Sequence, residues 1–222
     1  MKSFFDAIKR RISVYAFLAA CLAISTGCHA AAPTILYTNN FDNLATGKLP
    51  EELLVLDGNF SIQESDGNKF LELPGAPLDT FGVLFGPAES NGWAITVAIF
   101  GTSAGRRAPT IGPGLNGAGG YKLLSAPGKR TLEIWKGDKL LAAKPYTWES
   151  GWTIFKLQVR KTSDGKTKIE GKAWKQGAVE PSGWLVEAED SEQPPAGRAA
   201  VYGSPFSGTP IRFDNIRIER IE

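Results

Sequence analysis

The densest run of residues able to contact a ligand lies between Arg106 and Lys122. Arg106, Arg107 and Asn116 stand on a glycine-rich stretch, and Tyr121 and Lys122 follow it. Guanidinium, amide and ammonium groups hydrogen-bond the hydroxyl and acidic groups of ligands, and glycines let a ligand or another backbone come close. The sequence therefore predicts that Arg106, Arg107 and Asn116 line a binding surface together with Tyr121 or Lys122, which alternation makes face opposite ways. A curved glycine-rich strand with solvated arginines is the alternative that the residue types leave open.

Six tryptophans offer aromatic surfaces on which the apolar face of a sugar ring can stack. Most of them are expected to pack in the core or at sheet edges. Trp152 opens an alternating strand, and Trp174 and Trp184 bracket a crossover that contains glycine and proline. Trp174 is kept as the candidate ligand platform among them.

Residues 30–222 contain neither histidine nor cysteine. His29, Cys21 and Cys28 all lie within the first thirty residues. A Ser-His-Asp triad needs a histidine, a Cys-His nucleophile pair needs both residue types, and zinc sites are built mainly from them. Beyond the first thirty residues, any chemistry must rest on carboxylates, arginine, lysine, tyrosine, tryptophan, amides and backbone groups.

Residues 1–30 have the composition of a signal peptide. Basic residues precede an uncharged run, 14–24, that is shorter than the roughly 20 apolar residues of a membrane span. Cleavage before Ala31 would release the chain, whereas cleavage before Cys28 would leave that cysteine lipidated, and both routes stay open. Either route predicts export to the periplasm, the cell surface or the extracellular space. A lipid anchor at Cys28 is the only membrane contact that the sequence suggests.

The formal net charge of +2 reflects the leader, which carries four of the 25 basic residues and one of the 23 acidic ones. Residues 31–222 therefore have a formal net charge of −1. Since they contain no basic run, nucleic acid is not expected as a partner.

Hydrophobic alternation and turn signals predict one all-β domain over residues 31–222. Phe155, Leu157 and Val159 fall on one face of an alternating run, with polar residues on the other. Asp-Gly and Asn-Gly pairs mark tight hairpins, and many short strands with regular turns favour an antiparallel sandwich or barrel. The predicted strands are 35–41, 53–57, 60–64, 69–73, 82–86, 93–100, 108–116, 121–125, 131–135, 139–144, 152–161, 167–175, 184–188, 198–203 and 210–221.

Three stretches together carry a family resemblance: residues 36–50, residues 151–184 with their Gly-Trp and Pro-Ser-Gly-Trp motifs, and the closing Phe-Asp-Asn-Ile strand in residues 210–218. The chain resembles the concanavalin A-like lectin/glucanase superfamily, in its laminin-G-like branch of secreted bacterial proteins. The resemblance implies a two-sheet antiparallel jelly-roll sandwich in which the first and last strands pair. It is informative for the fold and much less so for function, because this fold hosts lectins, glycosidases, lyases and adhesion modules.

The motifs of two enzyme classes of that superfamily are incomplete in this sequence. Its family 16 glucanases resemble one another in an E-x-D-x-x-E strand, but here the segment beginning at Glu64 has Lys69 in the third position. The acidic segment from Glu187 to Pro195 has the wrong order and is predicted to be an exposed loop. Jelly-roll alginate lyases use a histidine that residues 31–222 lack, although Tyr121 and an arginine remain.

The resemblance also implies a structural calcium ion where the N-terminal segment meets the closing strand. Asp42 and Asp214 are the candidate ligands, since hard oxygen donors suit this ion. An aspartate that caps a turn or pairs with a neighbouring arginine is the alternative for each.

Together these observations predict an exported carbohydrate-binding or interaction module, non-catalytic, with a polysaccharide or other glycan as its partner. A glycan-active enzyme of the same fold and a structural or adhesion domain remain the alternatives.

Overall fold

A computed structural model describes residues 33–221, in which every regular element is a β-strand. The predictions for residues 1–30 and Cys28 lie outside this range. Within it, no helix long and apolar enough to cross a membrane was found. The strands are β1 (Thr34–Asn39), β2 (Leu54–Asp57), β3 (Ser61–Ser65), β4 (Asn68–Leu73), β5 (Phe81–Glu89), β6 (Trp93–Gly101), β7 (Thr110–Leu115), β8 (Tyr121–Ala126), β9 (Thr131–Lys136), β10 (Lys139–Pro145), β11 (Gly151–Lys161), β12 (Thr167–Lys175), β13 (Val186–Asp190), β14 (Gly197–Ser204) and β15 (Ile211–Arg220).

The strands form two antiparallel sheets that pack as a jelly-roll sandwich, which confirms the predicted fold class. Sheet A has the order β13-β12-β11-β6-β15-β4-β3, and sheet B has the order β10-β9-β8-β7-β14-β5-β2. In sheet A, β1 also pairs with β15, with Thr38 opposite Arg217. The first and last strands are therefore neighbours, as the family resemblance implied.

The core lies between the sheets and follows the predicted alternation. In β11, the side chains of Phe155, Leu157 and Val159 are fully buried, and the residues between them are partly exposed. Tight hairpin turns determine which residues of neighbouring strands lie opposite one another. Asp66 and Gly67 join β3 to β4 with φ values of 55° and 78°, a left-handed pair that an Asp-Gly sequence adopts readily.

The acidic segment after Leu185 corrects one prediction. The strand predicted over 184–188 continues to Asp190 as β13, so the first residues of the predicted exposed loop pair with β12 at the edge of sheet A. Lys168 lies 2.7 Å from Glu187, and Lys166 lies 3.1 Å from Glu189. Because lysines on the neighbouring strand and turn neutralise these carboxylates, the acidic run can pair as a strand.

Sheet A carries a charge-paired outer face. The buried carboxylate of Glu170 accepts hydrogen bonds from Gln158 and Arg160 and lies 3.1 Å from the Lys168 ammonium. Burial raises the pKa of Glu170, but the hydrogen bonds outweigh burial and hold the pKa below its ordinary value. Lys172 binds Glu180 at 2.7 Å, which holds the following loop against the sheet. The charged side chains on this outer face are therefore already paired with one another.

Candidate functional site

The outer face of sheet B is built differently from that of sheet A. Gly82 and Gly114 face outward here, and the ring of Tyr202 lies against both of them with only 6% of the residue exposed. Lys122 lies beside it, with Nζ 4.9 Å from the ring centroid. Burial raises the pKa of Tyr202 to about 12. The absence of side chains at these two glycines therefore makes room for an aromatic ring of the protein itself, with the Lys122 ammonium beside it.

A buried carboxylate organises the neighbouring part of this face. Glu133 is 3% exposed, and its oxygens accept hydrogen bonds from Thr131 Oγ1 at 2.8 Å, Trp135 Nε1 at 2.9 Å and Lys129 Nζ at 3.3 Å. The Lys129 ammonium also lies 5.4 Å from the centroid of the Trp135 ring. Glu133 therefore holds in place the indole of Trp135, which lies in β9, and the ammonium group of Lys129, which lies just before β9.

Beyond Lys129, four loops at one end of sheet B enclose a cleft of about 660 Å³. We call it the basic cleft. Leu78, Arg106, Arg107, Lys129 and Phe206 all line it, and each comes from one of these loops. The side chains of Leu78 and Phe206 are 53% and 46% exposed, so the cleft combines cations with an accessible apolar wall.

The loop that carries the two arginines is a tight turn. Ala104 and Arg107 exchange backbone hydrogen bonds of 2.9 and 3.2 Å, and Gly105 takes a φ of 61° between them. This reciprocal pairing holds Arg106 and Arg107 at the mouth of the cleft. Within residues 33–221, neither guanidinium lies within ion-pair distance of a carboxylate.

The structure brings only some of the predicted ligand contacts together. Arg106 and Arg107 share the basic cleft, and Lys122 lies on the same outer face of sheet B. Asn116 is 2% exposed, and its amide donates to the backbone carbonyls of residues 89, 90 and 195. Asn116 therefore holds three chain segments together, away from the cleft.

Tyr121 and Trp174 also lie away from the basic cleft. Tyr121 is fully buried between the sheets, where its hydroxyl donates to Asp190 at 2.8 Å. Trp174 is on sheet A and lines a small separate cleft of about 170 Å³ with Tyr146 and Thr153. Of the six tryptophans, Trp93 and Trp148 are buried in the core, and the other four are partly buried.

Sequence reasoning missed Leu78, Lys129, Glu133, Trp135 and Phe206. One local signal was present, because Thr131, Glu133 and Trp135 alternate with apolar residues and must share one face of β9. Leu78 and Phe206 had no such signal, since only the order of strands in sheet B brings their loops together.

A second cleft of about 660 Å³ lies where β1 meets β15. It is lined by Tyr37 and four asparagines, among them Asn39, Asn40 and Asn215. The Asn39 amide already donates to the Tyr37 hydroxyl at 3.0 Å, and the Asn40 amide donates to Asp42 at 2.7 Å. Because part of its polar lining is internally paired, this cleft is the weaker candidate.

The predicted calcium ligands, Asp42 and Asp214, lie close to this second cleft. Asp214 is buried and accepts a hydrogen bond from Asn68 at 3.1 Å, and burial together with the negative charge of Asp42 raises its pKa. Lys69 Nζ donates to the carbonyl oxygens of Asp42 at 3.1 Å and Leu44 at 2.8 Å. Residues 33–221 contain no group of three or more His, Cys, Asp or Glu side chains arranged to hold a metal. Calcium binding stays a prediction.

Calcium should raise the melting temperature if Asp42 and Asp214 bind it, because a ligand bound only to the native state stabilises that state. At a hundredfold excess over Kd we expect a rise of about 5 °C over an EGTA sample. Magnesium at equal ionic strength is the control. A melting temperature that is the same in calcium, magnesium and EGTA would show that Asp42 and Asp214 do not bind calcium.

No protein-family model matches the chain, and no curated protein is similar to it in sequence. Solved structures do match it in fold. Its fold is shared with carbohydrate-binding modules. The carbohydrate-binding module CBM66 from Bacillus subtilis is 12% identical, with a TM-score of 0.54 over 76% of this chain and 95% of that one.

Two other solved structures have similar folds. One was solved in work on endo-acting O-glycanases, with which prominent members of the human gut microbiota initiate mucin breakdown. It is 12% identical to this chain, with a TM-score of 0.57 over 85% of this chain and all of that one. The other is the alginate lyase Aly36B in complex with an alginate trisaccharide, with a TM-score of 0.50 at 13% identity, over 86% of this chain and all of that one. At these identities the likeness concerns the fold.

Proposed function

We propose that this chain is an exported, non-catalytic carbohydrate-binding module of the laminin-G-like type, and that the basic cleft of sheet B is its binding site. The observation that carries the proposal is the pairing, in one cleft, of the unpartnered guanidinium groups of Arg106 and Arg107 with the exposed ring of Phe206. Export follows from the leader-like residues 1–30. A lipid anchor at Cys28 would keep the module at a membrane surface.

The chemistry of the cleft suits a sugar. The apolar face of a pyranose or furanose ring packs on an aromatic or aliphatic side chain, here Phe206 or Leu78. Each guanidinium presents several N–H donors in one plane, which suits neighbouring oxygen atoms on a sugar. A carbohydrate-binding module, an O-glycanase structure and an alginate lyase share this fold, which supports a glycan as the ligand.

Binding is favoured over catalysis by the lining of the cleft. Glycosidases use two carboxyl groups about 5 to 9.5 Å apart, and the lining contributed by the described residues includes no carboxylate. Glu133 lies beside the cleft, but its oxygens already accept hydrogen bonds from three side chains. Its role is therefore to hold Lys129 and Trp135 in place.

Arg107→Ala should weaken glycan binding at least tenfold, because a hydrogen bond to a charged group contributes about 1.5–3 kcal/mol. A glycan array identifies the ligand, and calorimetry gives its Kd. Lys161→Ala is the matched control, since Lys161 is an exposed cation at the end of β11 in the other sheet. The affinity of the Lys161→Ala variant for the glycan should equal that of the wild type.

Three outcomes would change the proposal. A wild-type chain that binds no glycan on the array would favour the adhesion alternative. Binding that Arg107→Ala leaves intact but Asn215→Ala abolishes would move the site to the asparagine-lined cleft. Release of new reducing ends or of unsaturated products from the bound glycan would indicate an enzyme.

A further inference from the structure

We infer that the glycan bound in the basic cleft is anionic, bearing carboxylate or sulfate groups on its sugar rings. This inference rests on the proposed function and specifies its ligand class. Arg106, Arg107 and Lys129 contribute three cations to the lining of one cleft. The lining contributed by the described residues includes no acidic side chain.

The positive charge of the cleft is not cancelled from nearby. Neither Arg106 nor Arg107 has an ion-pair partner among residues 33–221. Lys129 has one partner, Glu133, and this carboxylate also accepts from a hydroxyl and an indole N–H. With one carboxylate against three cations, the local charge stays positive.

The rest of the molecule makes this local excess of positive charge distinctive. Residues 31–222 have a formal net charge of −1, so the cleft is not part of a generally basic surface. On the outer face of sheet A, Lys156, Lys168 and Lys172 each lie within ion-pair distance of a carboxylate. The three cations of the cleft are therefore a local excess of positive charge beside an apolar wall.

An anionic sugar matches this arrangement better than a neutral one. A guanidinium binds a carboxylate or sulfate through two parallel N–H···O hydrogen bonds, which are roughly twice as strong as bonds between neutral groups. The ring that bears the anionic group can pack against Phe206 or Leu78, both of which remain exposed. A neutral sugar would use the same apolar wall but leave both guanidinium charges uncompensated.

Matched polymers test the inference. Calorimetry with polygalacturonate and with its carboxyl-reduced form compares carboxylate with hydroxyl on the same backbone, and dextran sulfate against dextran does the same for sulfate. At least one anionic polymer should bind tenfold or more tightly than its neutral counterpart. Raising NaCl from 50 to 500 mM should weaken that binding several-fold, because salt screens charge pairs at an exposed site.

A charge-matched pair of double variants locates the effect. Arg106→Gln with Arg107→Gln should abolish the preference for the anionic polymer. Lys48→Gln with Lys161→Gln removes the same charge from exposed positions outside the cleft and should leave the preference unchanged. Equal affinity for charged and neutral polymers would overturn the inference and leave the proposed function standing. Failure to bind any of the four polymers, together with an empty glycan array, would overturn both.

Discussion

Gly112→Ala should destabilise the protein by about 3 kcal/mol, the upper range for forcing extra atoms into a packed site. A β-carbon on Gly112 of β7 would lie 2.8 Å from the carbonyl carbon of Leu123 and would overlap its carbonyl oxygen. Both are backbone atoms of β8, so no side-chain rotation can relieve the overlap. The two strands would have to move apart. A urea titration followed by tryptophan fluorescence measures the loss.

Gly183→Ala is the control for this variant. No atom lies within 4 Å of the position that a β-carbon would take at Gly183, and its φ is not in the left-handed region. We expect its free energy of unfolding to stay within about 0.5 kcal/mol of the wild type. Equal stability of Gly112→Ala and Gly183→Ala would mean that β7 and β8 adjust without cost.

The strands were predictable because their signals are local. Period-two alternation decides which side chains of β11 face the core, and an Asp-Gly pair supplies the two positive φ values between β3 and β4. Each depends on residues within a few positions of one another. The fifteen predicted runs therefore match the fifteen strands of the described range, with ends that differ by a few residues.

The glycines of β7 show what local signals cannot settle. Their number correctly indicated that something approaches the backbone closely. The structure shows that Tyr202 of β14 lies against Gly114 and that the backbone of Leu123 lies against Gly112. Which neighbour comes close depends on strand order, because β14 and β8 flank β7 in sheet B.

The same limit applies to the predicted ligand contacts. Arg106 and Arg107 were chosen for their chemistry, and they do line a cleft. Alternation required Tyr121 and Lys122 to face opposite ways, but it could not say which of the two faces outward. The structure places Lys122 on the outer face and buries Tyr121 between the sheets. The other cleft residues lie on loops distant in sequence, so no local pattern connects them.

Asp190→Asn should cost about 2 kcal/mol of stability at pH 7, the range for hydrogen bonds to a charged group. Asp190 of β13 accepts a hydrogen bond from Tyr121 at 2.8 Å and from Lys136 at 2.6 Å. Because Tyr121 and Lys136 belong to sheet B, this carboxylate ties the edges of the two sheets together. The substitution would remove the negative charge that the Tyr121 hydroxyl contacts, and Lys136 would keep the exposed carboxylate of Glu192 as its remaining charged partner.

The dependence on pH distinguishes this charge effect from a simple packing defect. Burial raises the pKa of Asp190, but Lys136, the backbone N–H of Glu192 and Tyr121 outweigh it and hold the pKa below its ordinary value. A carboxylate with a lowered native pKa stabilises the fold above its unfolded pKa of about 3.9, and this contribution is lost as the pH falls through the native value. The difference between wild type and Asp190→Asn should therefore shrink toward zero in strong acid.

Glu192→Gln is the matched control, because Glu192 also lies 2.6 Å from Lys136 but its side chain is 75% exposed. Solvent weakens an exposed pair, so we expect a cost below about 1 kcal/mol. Urea titrations from pH 7 down to about pH 2 compare the three proteins. If Glu192→Gln cost as much as Asp190→Asn, or if the Asp190→Asn difference did not shrink as the pH fell through this range, the charge of Asp190 would not be what joins the sheets.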